Sequence, residues 1–288
     1  MTTELSTVEQ EPAAPRPSGQ GRAARSLTVG AVLVGLVLVV ALVSLVWTPY
    51  GLTDGSGPRL GGPSGEHWAG TDRLGRDLLT QLMLGARAAV VVAVSTTLVA
   101  GALGVTVGVV AASATRWLDT ALHTVVDLLI AFPTLLLAML IVTVRGASTA
   151  SVVAAIGIAG SAIIARVTRV NAARVLREDY VTAARAAGTG YWGILVRHVL
   201  PNIAPTLLVQ LMLLAGSAVL AEASLSYLGL GAPPPDPTWG RMLREAQSTI
   251  SAAPTSAILP GVGIAAFVLG LNLLGDGIRE RRDPELAR

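Results

Sequence analysis

Six apolar runs, each long enough to cross a bilayer, limit this chain to a bundle of membrane helices. The first, residues 27–47, carries no charge and at about 1.5 Å per residue spans about 31 Å, the depth of a hydrocarbon core. It ends in Trp47-Thr48-Pro49 rather than a small-x-small cleavage site, which favours a retained span over a signal peptide. The others lie at about 88–112, 121–144, 151–170, 206–228 and 256–274. A content of 52% hydrophobic and 14% charged residues fits this reading and not a soluble domain. The expected fold class is all-α, a polytopic membrane protein with six transmembrane helices.

Arginine placement orients the bundle. Arg16, Arg22 and Arg25 precede the first span, six arginines lie between Arg166 and Arg197, and Arg279, Arg281 and Arg282 follow the last. The positive side is the cytoplasm, and an even number of spans returns both termini to it. Residues 1–26, rich in Pro, Ser, Gly and Gln, read as a disordered cytoplasmic tail. The membrane portion is residues 27–286, with a cytoplasmic loop at 172–205. Three segments face outside: 48–87, a short turn at Arg145, and 229–255.

Several chemistries are excluded by residue type. The chain has no cysteine, and His67, His123 and His198 are far apart, so no thiolate or histidine metal site is expected. All 21 basic residues are arginine, so a phosphate-binding loop ending in Gly-Lys-Ser/Thr is impossible and the chain has no ordinary ATPase site. The arginines sit between apolar runs without interleaved aromatics, which argues against nucleic acid as a partner.

The stretch EDYVTAARAAGTGYWGILVRHVLPN, residues 178–202, interrupts the spans with an amphipathic pattern. Leu176, Tyr180, Ala183, Ala184 and Ala187 share one face, with Arg174, Glu178 and Arg185 opposite. Gly188 is placed to end this helix in the left-handed conformation, and Tyr191, Ile194, Leu195 and His198 form a second stripe that is expected to stop before Pro201. Taken alone, the pattern also suits a helix resting on anionic lipid.

This pattern resembles the EAA loop of ABC-importer permeases. Thr182, Ala183 and Ala184 match its opening triplet, and the spacing to Gly188 and on to Leu200-Pro201 agrees. Thr182 departs from the family's motif, which has glutamate there; the small residues Ala183, Ala184 and Gly188 retain the steric part of the fit. Three further segments resemble the C-type permeases of dipeptide and oligopeptide importers: GTDRLGRDLLTQLMLGAR at 70–87, LSYLGLGAPPPDPTWGRML at 225–243, and NLLGDGIRERRDPEL at 272–286. In the first, Asp72, Arg73, Arg76 and Asp77 are expected to form a charge network. In the second, Pro233–Pro237 is expected to hold an extended, polyproline-like spacer ahead of Trp239. In the third, Gly275 and Gly277 are placed to end the last helix.

The resemblance implies the type I ABC-importer permease fold in a bacterial inner membrane. It also implies an assembly with a homologous second permease, two ATPase subunits that bind ATP and Mg, and an external substrate-binding protein that delivers peptide. Related permeases serve nickel chelates, glutathione or haem. An ion-coupled carrier is the alternative from a different class, and its candidate groups are Asp127 and Glu222, which are costly to bury in lipid unless paired or hydrated. Both are also the candidates for a translocation path, together with Pro133, which is expected to bend the third span. The external candidates are Asp72, Arg76, Asp77 and Trp239.

Overall fold

The structure is a computed structural model that describes residues 19–282. In chain order its helices are α1 (Gly19–Val43), α2 (Leu78–Ser113), α3 (Arg116–Ala131), α4 (Thr134–Arg145), α5 (Thr149–Val175), α6 (Asp179–Ala186), α7 (Tyr191–Ile194), α8 (Leu200–Tyr227), α9 (Trp239–Ala246) and α10 (Thr255–Arg282).

The expected tail requires correction where it is described. Residues 19–26 already belong to α1, because the Arg and Ala residues before the apolar run are strong helix formers and extend the helix backwards. Residues 1–18 lie outside the described residues. α2 also starts early, at Leu78, because the Asp77 carboxylate accepts from the Thr80 N–H at 2.7 Å and caps it. Its 36 residues extend about 54 Å, so its first turns project beyond the hydrocarbon.

The third run is not one rod. Phe132 precedes Pro133 and takes an extended ψ of 133°, so α3 stops there and α4 restarts at Thr134 with its axis turned by 92°. Among the described residues five helical runs are long and apolar enough to span, and the bent α3–α4 pair makes a sixth only if counted as one. The last helix likewise departs from expectation, since α10 passes through Gly275 and Gly277 to Arg282. Gly277 instead gives access to a neighbour: a Cβ there would lie 2.5 Å from Leu27 Cγ. The first turns of α1 therefore rest on the last turns of α10, and these two ends share one side of the bundle.

α2 and α5 are the most extensively packed pair of helices. A Cβ at Gly104 would lie 2.6 Å from Ile164 Cβ, and one at Gly108 would lie 2.5 Å from Thr168 Cβ, so the missing side chains allow the backbones to approach. At the other end of the bundle, Trp239 is 3% exposed and fills the gap between Gly85 of α2 and Gly263 of α10. Its indole Nε1–H donates to the Leu82 carbonyl at 3.0 Å, satisfying its one polar atom. Trp239 thus serves as a packing anchor of α9.

The proline run before it is not a continuous extended spacer. Its chain turns at Pro234–Pro235, where the peptide bond is cis.

Candidate functional site: the α6–α7 loop and the outer charge network

The loop between α5 and α8 is rooted in the bundle and free at its tip. Val181 is 0% exposed and packs with Ala172, Ile194, Leu195 and Val199 beneath it. That inward residue corrects the face assignment made from spacing: Tyr180, Ala183 and Ala187 point outward, with Ala184 half-buried. In an eight-residue helix one fully buried valine decides the rotation, because small alanines gain little from burial. Thr182 is exposed next to them, so the triplet and its neighbours form an open surface of short side chains.

Gly188 ends α6 in a Schellman arrangement. Its φ is +87°, its N–H donates to the Arg185 carbonyl at 3.0 Å, and the Thr189 N–H donates to the Ala184 carbonyl at 3.0 Å. A Cβ at Gly188 would meet nothing within 4 Å, so glycine is needed here for its backbone and not to relieve crowding.

The second short helix does not stop before Pro201. After α7 the chain makes one wide turn over Leu195–Val199, in which the Leu200 N–H donates to the Leu195 carbonyl five residues back, and then continues as α8. The wider turn arrives where Pro201 has no N–H to offer, so the helix changes register at the proline instead of ending. Pro201 is exposed and Leu200 is half-buried. Tyr191–Tyr227 is in consequence one helical run of 37 residues, which joins the loop directly to a span.

Polar contacts hold this run in place. The Tyr191 hydroxyl and Ser113 Oγ at the end of α2 are 2.6 Å apart. Asn202 Nδ2 donates to the Tyr180 hydroxyl at 3.2 Å, and the rings of Tyr180 and His198 lie 5.9 Å apart.

At the opposite end of the bundle, the segment before α2 forms a compact knot. Asp72 Oδ1 accepts from the N–H groups of Leu74 and Arg76, and Oδ2 accepts from Arg76 Nε at 2.7 Å and Gln81 Nε2 at 3.0 Å. Arg76 also reaches Glu245 of α9 at 3.0 Å, and Glu245 accepts from Arg241 Nε at 2.9 Å. Asp77 caps α2 and meets His67 Nδ1 at 3.1 Å. The expected network of Asp72, Arg73, Arg76 and Asp77 is therefore different in membership: Arg73 is exposed and takes no part among the described ion pairs, and Asp77 pairs with His67. Spacing alone did not show Glu245, although its position four residues after Arg241 on a helix was a visible signal.

The membrane acids fall in different settings. Glu222 is 4% exposed on α8 and accepts from Ser226 Oγ at 2.6 Å. Asp127 has a side chain 42% exposed; it meets His123 Nδ1 at 2.7 Å and pairs with Arg166 of α5. A second pair, Asp119 with Arg169 at 2.5 Å, ties the start of α3 to the same helix. Arg166 and Arg169 share the charge pattern of the arginine-rich loop that follows them, so spacing alone does not reveal their partners on α3.

Residues 104–288 match the family model described as the binding-protein-dependent transport system inner membrane component. A dipeptide transport system permease of Alkalihalophilus pseudofirmus is 37% identical over 261 residues, covering 88% of this chain and 86% of the relative. A glutathione transport system permease of Pectobacterium atrosepticum is 40% identical over 225 residues, covering 78% and 75%. A putative peptide transport system permease of Brucella suis is 38% identical over 264 residues, covering 91% and 88%.

Proposed function

The chain belongs to the family of binding-protein-dependent transport inner membrane components, and from that premise we propose how it acts as the membrane permease of an ATP-driven peptide importer. The observation that carries the mechanism is the α6 surface: Thr182, Ala183 and Ala184 stand over a fully buried Val181 and end in the Gly188 cap. A surface of short side chains on a rigid root is suited to insertion into a groove on an ATPase subunit. ATP binding there draws the ATPases together, pulls on α6, and through the unbroken run from Tyr191 to Tyr227 tilts a span; hydrolysis reverses the motion.

The chain itself performs no covalent chemistry, and ATP and Mg are held by two partner ATPases. A homologous second permease supplies the other half of the passage, and an external binding protein delivers cargo to the outer segments around Asp72, Arg76, Asp77 and Trp239. Both termini and the α6–α7 loop lie in the cytoplasm. Asp127 and Pro133 act together at the bent span, where the α3–α4 break gives that element freedom to swing.

Reconstitution tests this reading. Proteoliposomes holding this chain with its second permease, ATPases and binding protein are expected to take up a labelled tripeptide only with ATP. Uptake that persists without the ATPases and follows the proton gradient would establish the ion-coupled carrier instead. A second cargo is favoured by the relatives named as glutathione permeases, and glutathione is itself a tripeptide in its chemistry. Competition between labelled glutathione and unlabelled tripeptide for uptake separates the two.

A further inference from the structure

One face of α8 carries Thr206, Ser217, Leu220 and Tyr227, which are exposed, and Gln210, Leu213 and Ser224, which are half-buried, the positions that recur every three to four residues along a single side of the helix. Three cavities lie along it. One of about 370 Å³ at the Asp276 and Arg279 end shares Gln210 and Leu213 with the next, of about 420 Å³. That one in turn shares Leu220 and Ser224 with a third of about 660 Å³, which reaches Tyr227 and Leu228. The first and third are walled by α10 and the middle one by α4 and α5, and the shared α8 residues are the floor that joins them into one furrow. From Thr206 to Tyr227 it follows about 33 Å of helix, the depth of the hydrocarbon core.

We infer that this furrow is the chain's own wall of the passage, and that its polar groups meet the main-chain amides of a peptide in transit. The inference rests on the importer reading and adds to it the wall and its selectivity. Gln210, Ser217 and Ser224 fall seven residues apart, so an uncharged hydrogen-bonding group appears at every second turn between leucines. The serine hydroxyls donate to their own helix, Ser217 to the Leu213 carbonyl at 3.0 Å and Ser224 to the Leu220 carbonyl at 2.8 Å, which leaves their lone pairs for a peptide N–H. The Gln210 carboxamide bonds to none of the described residues. A carboxamide held against lipid without a partner costs several kcal/mol, roughly 4–8 on an alkane scale, so the furrow faces water or a polar occupant.

No acidic or basic side chain lines the middle cavity, and Glu222, one turn from Ser226, is not among the residues lining the three. Asp276 and Arg279, of opposite sign, line only the first cavity, so the neutral stretch from Gln210 to Ser224 recognises the amide that all peptides share and is indifferent to the sign of their side chains.

The absence of cysteine makes the test direct. Gln210→Cys, Ser217→Cys and Ser224→Cys, each in the assembled transporter, are treated with a charged methanethiosulfonate reagent. Leu98→Cys on the 68% exposed side of α2 serves as the lipid-facing control, and the unsubstituted complex gives the partners' background. A thiol in lipid is not ionised, so the three furrow thiols are expected to react at least roughly tenfold faster than the control. Their modification is expected to stop tripeptide uptake, and excess trialanine or trilysine is expected to slow it equally.

Reaction as slow as at Leu98→Cys, or a disulfide trapped with a cysteine on the second permease while transport continues, would overturn the assignment in favour of a lipid or helix contact. Fast reaction with unchanged uptake would also overturn it, as would protection by only one of the two peptides. If the complex carries no peptide at all, the importer reading fails, while fast labelling still supports a wet furrow.

Discussion

Arg76 and Glu245 lie 169 positions apart in the chain and 3.0 Å apart in the structure. Their contact joins the outer segment that leads into α2 to the short helix α9 that precedes α10. Arg76 is held from the other side by Asp72, and Glu245 by Arg241, so the pair is the centre of a four-residue chain of charge. Both side chains are mostly withdrawn from water, which strengthens the pair relative to a freely exposed one.

A double-mutant cycle measures this link. Arg76→Ala and Glu245→Ala in the purified complex are expected to show a coupling of about 1 kcal/mol in thermal unfolding. If the two effects add independently, the outer segment and α9 are not joined through this contact. Arg73→Ala, outside the network, is expected to leave stability unchanged.

Trp239 holds α9 between two glycines, and its loss should be more damaging than that of any outer charge. Trp239→Ala is expected to cost about 3–5 kcal/mol through the cavity it leaves. Trp239→Phe removes the donor to the Leu82 carbonyl and is expected to cost about 1 kcal/mol together with some packing. Gly85→Leu should reproduce the alanine defect, since its side chain would enter the space of the indole. Melting curves of the detergent-purified protein decide; equal curves for Trp239→Ala and wild type would remove the anchor role.

The cap at Gly188 separates folding from coupling. Gly188→Asn keeps a residue that tolerates a positive φ and is expected to preserve uptake, whereas Gly188→Ala is expected to weaken the cap by about 1 kcal/mol. Gly188→Glu adds bulk and charge to an open surface and is expected to assemble in the membrane while ATP hydrolysis no longer drives uptake. Normal transport by the Gly188→Glu complex would show that α6 is not the docking helix.

The two membrane acids are expected to respond differently. Glu222→Gln retains a hydrogen-bond acceptor for Ser226, and uptake is expected to stay within about twofold of wild type, because the net worth of one such bond is about 1 kcal/mol. Asp127→Asn keeps an acceptor but removes the negative charge that Arg166 and His123 share, weakens the tie of α3 to α5, and is expected to lower uptake several-fold. Initial uptake rates in proteoliposomes test both, and an unchanged rate for Asp127→Asn would take it out of the transport cycle.

Much of this molecule is legible in its residues taken in order. The lengths of the apolar runs are set by the cost of exposing backbone to lipid, so a membrane bundle follows from composition along the chain. The end of α6 at Gly188 follows because only a left-handed residue closes that turn, and the 92° break follows from Phe132-Pro133 because a residue before proline avoids the helical region. These are local constraints, and they act whatever the rest of the chain does.

What lay outside the sequence was decided by packing between distant segments. Periodicity assigned the alanines of α6 to one face, but the contacts of Val181 with Ile194 and Val199 turned that face outward. Arg166 and Arg169 read as part of a positive loop, and only the crossing of α3 over α5 brought them to Asp127 and Asp119. Glu245 became the partner of Arg76 because Trp239 seats α9 against α2. Residue type and spacing determined which segments are helices and where they cap; the rotation of each helix and the pairing of its charges depended on which neighbour it packs against, a choice made by side chains far apart in the chain.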